Sequence, residues 1–277
     1  MIRINQEDIS YLLCRNTKTA TVTSINHKYN TITIPKSVKH YFTTYIIKSL
    51  SRESFYGISL ETLKFSNDSN VVCIDESAFA RINIQNIEFP KSLTTISNLS
   101  FEQSEIQQID LSNTQITYIG KEAFRYSNLV NIKLPKSIKQ IEYRAFFECK
   151  CLNSIEIPED SDLYCIGDEA FAFSSLKNFN IPLKITEFNP TWFYNTPNIT
   201  NLTFTPSLNR SFKWLDDKQT MIVSKSSSLN EYDTIVFATR LIKYAMIGSD
   251  IKHISSYAFD LCTKLTKVEF ANDSKLQ

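Results

Sequence analysis

Glycine is nearly missing from this chain, with four residues in 277. That scarcity excludes the glycine-rich loops that cradle phosphates, both the dinucleotide fingerprint and the P-loop. Histidine is scarcer still, and His27, His40 and His253 have no metal-ligand spacing among themselves or with the cysteines. No run of 18 apolar residues occurs, so no transmembrane helix is expected. The opening Met1-Ile2-Arg3-Ile4-Asn5-Gln6-Glu7-Asp8 lacks the apolar stretch of a signal peptide. With Met1 as the start, the expectation is a soluble chain outside the secretory route. Charge is also in short supply: the formal net value is +1 and the two signs are interspersed. There is no basic stripe for nucleic acid and no acidic tail for a basic partner. No cofactor or metal is expected, and no enzymatic activity.

What the chain does have is a repeat. Ala-Phe recurs at Ala78-Phe79, Ala123-Phe124, Ala145-Phe146, Ala170-Phe171 and Ala258-Phe259, and Ser54-Phe55, Ser100-Phe101 and Trp192-Phe193 fill the same slot. From Phe55 the intervals are 24, 22, 23, 22, 25 and 22, then 66, which is three periods. A fixed period in this range marks a solenoid, in which each unit stacks on its neighbours to bury a shared core. A hydrophobic fraction of 42% is ample for that core.

The unit explains itself physically. Asn131-Ile132-Lys133-Leu134 alternates polar and apolar, the pattern of a half-buried strand. Pro135 ends it, having no N–H for a ladder, and Pro35, Pro90, Pro158 and Pro182 stand in the same phase. A second short apolar phase follows at Ile138 and Ile141, then a polar turn and the Ala-Phe pair. Strand apolar pairs recur at Leu63/Phe65, Ile87/Phe89, Ile109/Leu111, Ile155/Ile157, Phe179/Ile181, Leu202/Phe204 and Val268/Phe270, and the second phase carries Ile74, Ile96, Ile119, Ile166, Phe188 and Ile254. The expected fold is a β-rich solenoid of stacked ~22–23-residue repeats, ten or so rungs, with a parallel sheet and little regular helix.

Two stretches depart from the period. Residues 1–30 do not fit and are expected to form a capping segment, with Thr19–Thr23 as a strand; the solenoid then runs over 31–277. The first repeat carries an insertion within 36–54. In the long gap, Ala245, Ile247 and Gly248 stand where apolar, apolar and proline belong, so two degenerate repeats are expected at about 205–245, with a serine-rich loop from Ser224 to Tyr232. The final Asn272-Asp273-Ser274-Lys275-Leu276-Gln277 matches Asn67–Val72 and Glu159–Tyr164, which both continue into another repeat. The text thus reads as stopping in mid-repeat, without the polar cap a solenoid needs. Either the array is longer, or its open end pairs with something, self-association included.

At these residues the pattern Ile-x-Ile-Pro, Ile-Gly/Asp, Ala-Phe, Cys-x-x-Leu resembles the leucine-rich repeats of the BspA-like surface-protein family. Ile166-Gly167-Asp168-Glu169-Ala170-Phe171 and Ala258-Phe259-Asp260-Leu261-Cys262-Thr263-Lys264-Leu265 are close matches. Lys18–Thr23, leading to Ile32-Thr33-Ile34-Pro35, resembles the entry segment of such proteins. The resemblance implies a parallel-sheet leucine-rich-repeat solenoid, often at the cell surface, that binds host proteins or other cells. This chain departs from conventional leucine-rich repeats in having proline where they end the strand with asparagine. Surface placement by resemblance and a cytoplasmic placement by absent targeting signals stand side by side.

The six cysteines invite a disulfide framework, yet matched pairs (Cys149 and Cys262, Cys73 and Cys165) lie several repeats apart, and Cys149-Lys150-Cys151 lacks redox or zinc spacing. Buried free thiols are the plainer reading. Asp216 and Asp217 shape a turn more readily than they do acid–base work. The Asn-x-Ser/Thr sequons at Asn67, Asn98, Asn198, Asn201, Asn209 and Asn272 stay bare without secretion.

The remaining candidate is a surface. The outward strand positions line up from rung to rung as Thr62/Lys64, Asn86/Glu88, Gln108/Asp110, Asn131/Lys133, Ser154/Glu156, Asn178/Asn180, Asn201/Thr203 and Lys267/Glu269. One column is mostly amide and hydroxyl, able to donate and accept towards a protein or glycan partner; the other mixes acid and base. Ordinary solvated strand positions are the plainer reading of the same pattern. Aromatic anchors are missing from these columns, and Tyr118, Tyr143, Tyr164 and Tyr257 could supply them on another face. The expected function is a non-catalytic adhesion-type binding module using Asn86, Glu88, Gln108, Asp110, Asn131, Lys133, Ser154, Glu156, Asn178 and Asn180. The alternative is an intracellular scaffold.

Overall fold

A computed structural model describes residues 1–26, 30–205, 211–225 and 231–277. His27, the Asn209 sequon and most of the serine-rich stretch lie outside the described residues. The described chain is all strand and turn, with no helix.

Strands β1 (Ile2–Gln6), β2 (Ile9–Cys14) and β3 (Thr19–Ile25) form an antiparallel meander. β4 (Thr31–Ile34) starts the first phase, and β5 (Ser37–His40) turns back as a hairpin onto β6 (Thr43–Leu50), which pairs parallel with β3. Alternation then begins: β7 (Ser59–Phe65), β8 (Cys73–Ile74), β9 (Asn83–Ile87), β10 (Thr95–Ile96), β11 (Gln108–Asp110), β12 (Tyr118–Ile119), β13 (Asn131–Lys133), β14 (Gln140–Ile141), β15 (Ser154–Glu156) and β16 (Cys165–Ile166). After β17 (Asn178–Asn180) and β18 (Asn201–Thr203) come β19 (Phe212–Trp214), β20 (Met221–Lys225) and β21 (Tyr232–Ala238). β22 (Tyr244–Ile247), β23 (His253–Ile254) and β24 (Lys267–Phe270) close the chain.

The expected solenoid is the observed fold, and it has two parallel ladders where the sequence pattern suggested one. In the first phase, Ile109, Ile132 and Ile155 stand in register across β11, β13 and β15. In the second, Ile74, Ile96, Ile119, Ile141 and Ile166 stand in register across five two-residue strands. Both sets point inward, which is why apolar residues at alternate positions suffice to bury a continuous core.

A third column runs along the Ala-Phe turns. The N–H of Phe79, Phe101, Phe124 and Phe146 donates to the carbonyl of residue 100, 123, 145 or 170 on the next rung at 2.7–2.8 Å. The phenylalanine rings stack below it: Phe101, Phe124 and Phe146 lie 5.0 Å apart, centroid to centroid, with interplanar angles of 10° and 0°. The residue before the phenylalanine is small because its side chain is fully enclosed, 0% exposed at Ala123, Ala145 and Ala170 and at Ser100. Gly167 answers a related constraint, since a Cβ there would sit 2.4 Å from the Tyr143 backbone nitrogen.

Six of the turns, at Phe79, Phe101, Phe124, Phe146, Phe171 and Phe259, also place two non-glycine residues in the left-handed region, two positions before and two after the phenylalanine. Leu99 and Gln103 flank Phe101 at φ 57° and 54°, and Glu122 and Tyr126 flank Phe124 at 54° and 59°. For an L-residue that conformation costs roughly 1–2 kcal/mol. The inter-rung backbone bonds hold it there. Gln103 is exposed, and its N–H donates to Arg125. Replacing Gln103 with glycine keeps that bond and relieves the crowding, so a gain of about 0.5–1 kcal/mol is expected after glycine's own entropic cost. A urea midpoint no higher than wild type would show that the turn carries no strain.

The regular stacking stops after β18. β19 pairs antiparallel with β20, β20 antiparallel with β21, and β21 parallel with β23. The core divides further on, within β20 and β21: Ile222, Val236 and Phe237 belong to the long cluster that begins at Ile9, and Met221, Val223, Ile235 and Ala238 to the short one that runs to Ala258.

Candidate interaction surface

The outward residues of the first-phase strands form registered columns. Gln108, Asn131 and Ser154 align in one and Asp110, Lys133 and Glu156 in the other. Asn178 aligns with Asn201, and Asn180 with Thr203, whose hydroxyl donates to the Asn180 amide oxygen at 3.1 Å. Asn86, opposite Thr62, continues the first column towards the N-terminus. Asn86, Glu88, Gln108, Asp110, Lys133, Glu156 and Asn178 are exposed, while Asn131, Ser154 and Asn180 are half-buried.

Charge is partly neutralised along the second column. Lys133 Nζ lies 3.2 Å from Glu156, and the Asp110 carboxylate accepts from the Ser112 hydroxyl at 2.6 Å and its N–H at 2.9 Å. Those bonds, with Lys133 nearby, hold the Asp110 carboxyl below the usual range.

The structure adds two residues that the sequence reading left out of these columns. In register with Lys267 and Glu269 stand Tyr244 and Met246, both exposed. The signal was present: once Ala245 and Ile247 are read as the inward pair, their neighbours at 244 and 246 face out. An aromatic therefore does sit in the amide column.

A second missed feature runs along the turn edge. Tyr126, Phe147, Phe173, Tyr194 and Tyr257 form a row with successive ring centroids 6.2, 5.3, 5.3 and 4.5 Å apart. Arg125 lies over Tyr126 at 4.7 Å and Arg144 over Phe147 at 4.5 Å. Both arginines are also paired with carboxylates, Arg125 with Glu122 at 2.7 Å and Arg144 with Glu169 at 2.9 Å. Of the tyrosines expected as anchors, Tyr257 belongs to this row, Tyr164 is exposed, and Tyr118 and Tyr143 are half-buried. Among the described residues the most exposed aromatics are elsewhere, Tyr41 and Phe42 at the tip of the β5–β6 hairpin.

Among the described residues, no group of histidine, cysteine, aspartate and glutamate is placed to hold a metal ion. No helix among those residues is long and apolar enough to cross a membrane. All six cysteines are free. Burial pushes the Cys149 thiol up to about 12, and its Sγ donates to the Phe124 carbonyl at 2.9 Å. Cys14 is the reverse case, its thiol lowered by hydrogen bonds from Thr17, and Cys151 is exposed. At pH 8 iodoacetamide is expected to alkylate Cys14 and Cys151 at least ~100-fold faster than Cys149, which reacts only on unfolding. Peptide mass mapping of the label checks this, and early labelling of Cys149 would contradict the packing of its rung.

Stacked parallel rungs, registered outward columns and a phenylalanine spine define a leucine-rich-repeat solenoid. The chain belongs to the BspA type leucine rich repeat family, whose repeat matches in six copies over residues 48–162, 102–215 and 209–276. Its fold is similar to that of a leucine rich cell surface protein from Faecalibacterium prausnitzii A2-165, with a TM-score of 0.65 at 16% identity, over 99% of this chain and 72% of that one. It is equally similar to the pneumococcal vaccine antigen PcpA, with a TM-score of 0.65 at 18% identity, over 99% of this chain and 65% of that one. At these identities the likeness is one of fold. No curated protein matches the chain.

Proposed function

We propose that this chain is a non-catalytic recognition module of the adhesion type, binding a protein partner through the outer face of its first-phase strands. The observation that carries this reading is the registered, solvent-facing pair of columns on β11, β13 and β15. Leucine-rich-repeat solenoids are built to present such extended surfaces to macromolecules. The descriptions of the two fold relatives, a cell surface protein and a vaccine antigen, support a surface setting. The partner face comprises Asn86, Glu88, Gln108, Asp110, Asn131, Lys133, Ser154, Glu156, Asn178 and Asn180, with amides and hydroxyls fixing register and the acids setting charge preference.

The test is affinity capture with the immobilised chain, wild type against the triple variant Glu88→Lys, Asp110→Lys, Glu156→Lys. These exposed changes leave the core untouched. A protein held by wild type is expected to fall at least ~10-fold in the variant, since each reversed contact removes on the order of 1 kcal/mol or more. Equal capture would sink the sheet-face assignment, and capture that vanishes after deglycosylating the extract would move the partner to a glycan.

The six free thiols favour a second reading, an intracellular scaffold on the same fold. Immunofluorescence on intact and permeabilised cells separates the two: labelling of intact cells removes the scaffold reading.

A further inference from the structure

Among the described residues, the two ladders of the solenoid do not carry the same number of strands where the regular stacking stops. On the second-phase side, Ser211 N–H donates to Thr186 at 3.0 Å, so β19 follows directly on the preceding rung. β20 and β21 are then added, and β23 follows β21 with Ile254 opposite Ile235. Three strand spacings, on the order of 14 Å, thus separate β19 from β23. On the first-phase side, β18 belongs to the rung of β19 and β22 to the rung of β23, and no described strand lies between them. Among the described residues β18 pairs only with β17, and β22 only with β24.

The mismatch opens a cleft of about 840 Å³ in the outer ladder. Thr200 borders it beside β18, Leu215 and Met221 come from the β19–β20 hairpin, and Leu241, Tyr244 and Met246 line the β22 side. Leu241, Tyr244 and Met246 are 51%, 45% and 47% exposed, an apolar concentration unlike the polar columns on the neighbouring rungs. The charged rim balances, with Asp216 and Asp217 against Lys218 and Lys243. Nothing there selects a charged ligand. Among the described residues, the cleft offers a strand edge with no strand paired to it on either side, and an apolar wall.

We propose that this gap is a strand-accepting site: an extended peptide segment of a partner protein adds to the edge of β22 and takes the nearer of the two strand positions that the first-phase ladder lacks among the described residues. Addition of a strand to an open edge takes its affinity from main-chain hydrogen bonds and its specificity from alternate side chains. The neighbouring rungs specify those side chains. Asn201-Leu202-Thr203-Phe204 and Tyr244-Ala245-Met246-Ile247 both alternate outward and inward, so the accepted segment carries apolar residues at alternate, inward positions. The site is separate from the polar columns on β11, β13 and β15, and the two proposals fail independently.

The experiment titrates the full chain into a fluorescein-labelled synthetic peptide with the sequence of residues 129–136, Leu-Val-Asn-Ile-Lys-Leu-Pro-Lys, which is a strand of this ladder. Fluorescence anisotropy reads binding, and hydrogen exchange reads where the peptide sits. Saturable binding is expected, weakened at least ~10-fold by Leu241→Glu on the exposed cleft wall and by Asp at the peptide's isoleucine position. Phe270→Glu, on the exposed final strand β24, leaves it unchanged. Amide exchange in β22 slows at least ~10-fold on saturation. No saturable binding up to about 1 mM overturns the proposal. So does binding that survives Leu241→Glu but is lost with Phe270→Glu, which places the added strand at β24 instead. A concentration-dependent dimer abolished by Leu241→Glu would give the cleft to a second copy of the chain and also overturn it.

Discussion

Replacing Phe124 with alanine is expected to remove about 3–5 kcal/mol of stability, the range for emptying a fully buried aromatic site. The ring is 0% exposed and lies parallel between Phe101 and Phe146, both at 5.0 Å. Two stacked contacts are lost with the apolar volume, each adding about 0.5–1.5 kcal/mol beyond burial. Collapse around the cavity is restrained, because the backbone on either side is tied: Phe101 N–H donates to Ala123 at 2.7 Å and Phe124 N–H to Ala145 at 2.8 Å. Phe259, in the same slot on the last turn, is only half-buried, so Phe259→Ala is expected to cost less than half as much. In a stack of nearest-neighbour contacts the damage stays local. Hydrogen exchange should therefore show lost protection over the rungs of Phe101 to Phe146, with β1–β3 unchanged. A uniform loss across the chain would mean that the array unfolds as one cooperative unit; a urea-derived change under 1 kcal/mol would mean that the spine contributes nothing special.

The spine was legible in the sequence because period and chemistry coincide there. A small residue and a large ring recurring every 22 or so residues have one economical explanation, a turn packed against copies of itself. The first-phase strands were legible for the same reason, alternation closed by proline. The second-phase strands were recognised only as apolar positions: two-residue strands such as β10 and β12 are too short to show a period of two. The left-handed residues around each phenylalanine could not be read at all. Leu99, Glu122 and Arg144 occupy positions where local preference calls for glycine, and it is inter-rung hydrogen bonding that overrides that preference. The turn-edge row of Tyr126, Phe147, Phe173 and Tyr194 escaped because its members occupy unequal offsets from the repeat phenylalanine. Tyr244 and Met246 were within reach, two steps from residues already aligned correctly. The two added strands β20 and β21 hid their context, since the 66-residue gap equals three periods in length but not in structure.

Within that gap one side chain reaches from the long core to the short one. Arg240 lies at the seam between the two cores, with its side chain 4% exposed. Its Nη2 donates to the Phe193 carbonyl at 3.1 Å on the long-core side, and lies 3.6 Å from Asp260 on the short-core side. Asp260 in turn accepts from the Asn195 N–H at 2.6 Å, so the pair joins rungs 65 residues apart in sequence. Burial pushes the guanidinium's pKa down in spite of Asp260, an indication that desolvation opposes this contact. With the guanidinium buried and the Asp260 side chain 17% exposed, the pair adds little net stability when intact, and removing one member costs more than the pair contributes. Arg240→Ala is accordingly expected to destabilise β21–β24 by about 3–5 kcal/mol, leaving Asp260 and the Phe193 carbonyl without their cation. Hydrogen exchange should report the loss in β22–β24 and spare β7–β16. The double variant Arg240→Met, Asp260→Asn is expected to recover at least half, because no charge remains buried and the asparagine oxygen still accepts from Asn195. Recovery would identify the pair as a registry device across the seam. A double variant as damaged as Arg240→Ala would instead make the guanidinium's carbonyl contacts the essential part, and a single variant within 1 kcal/mol of wild type would show the two cores to be joined by the backbone alone.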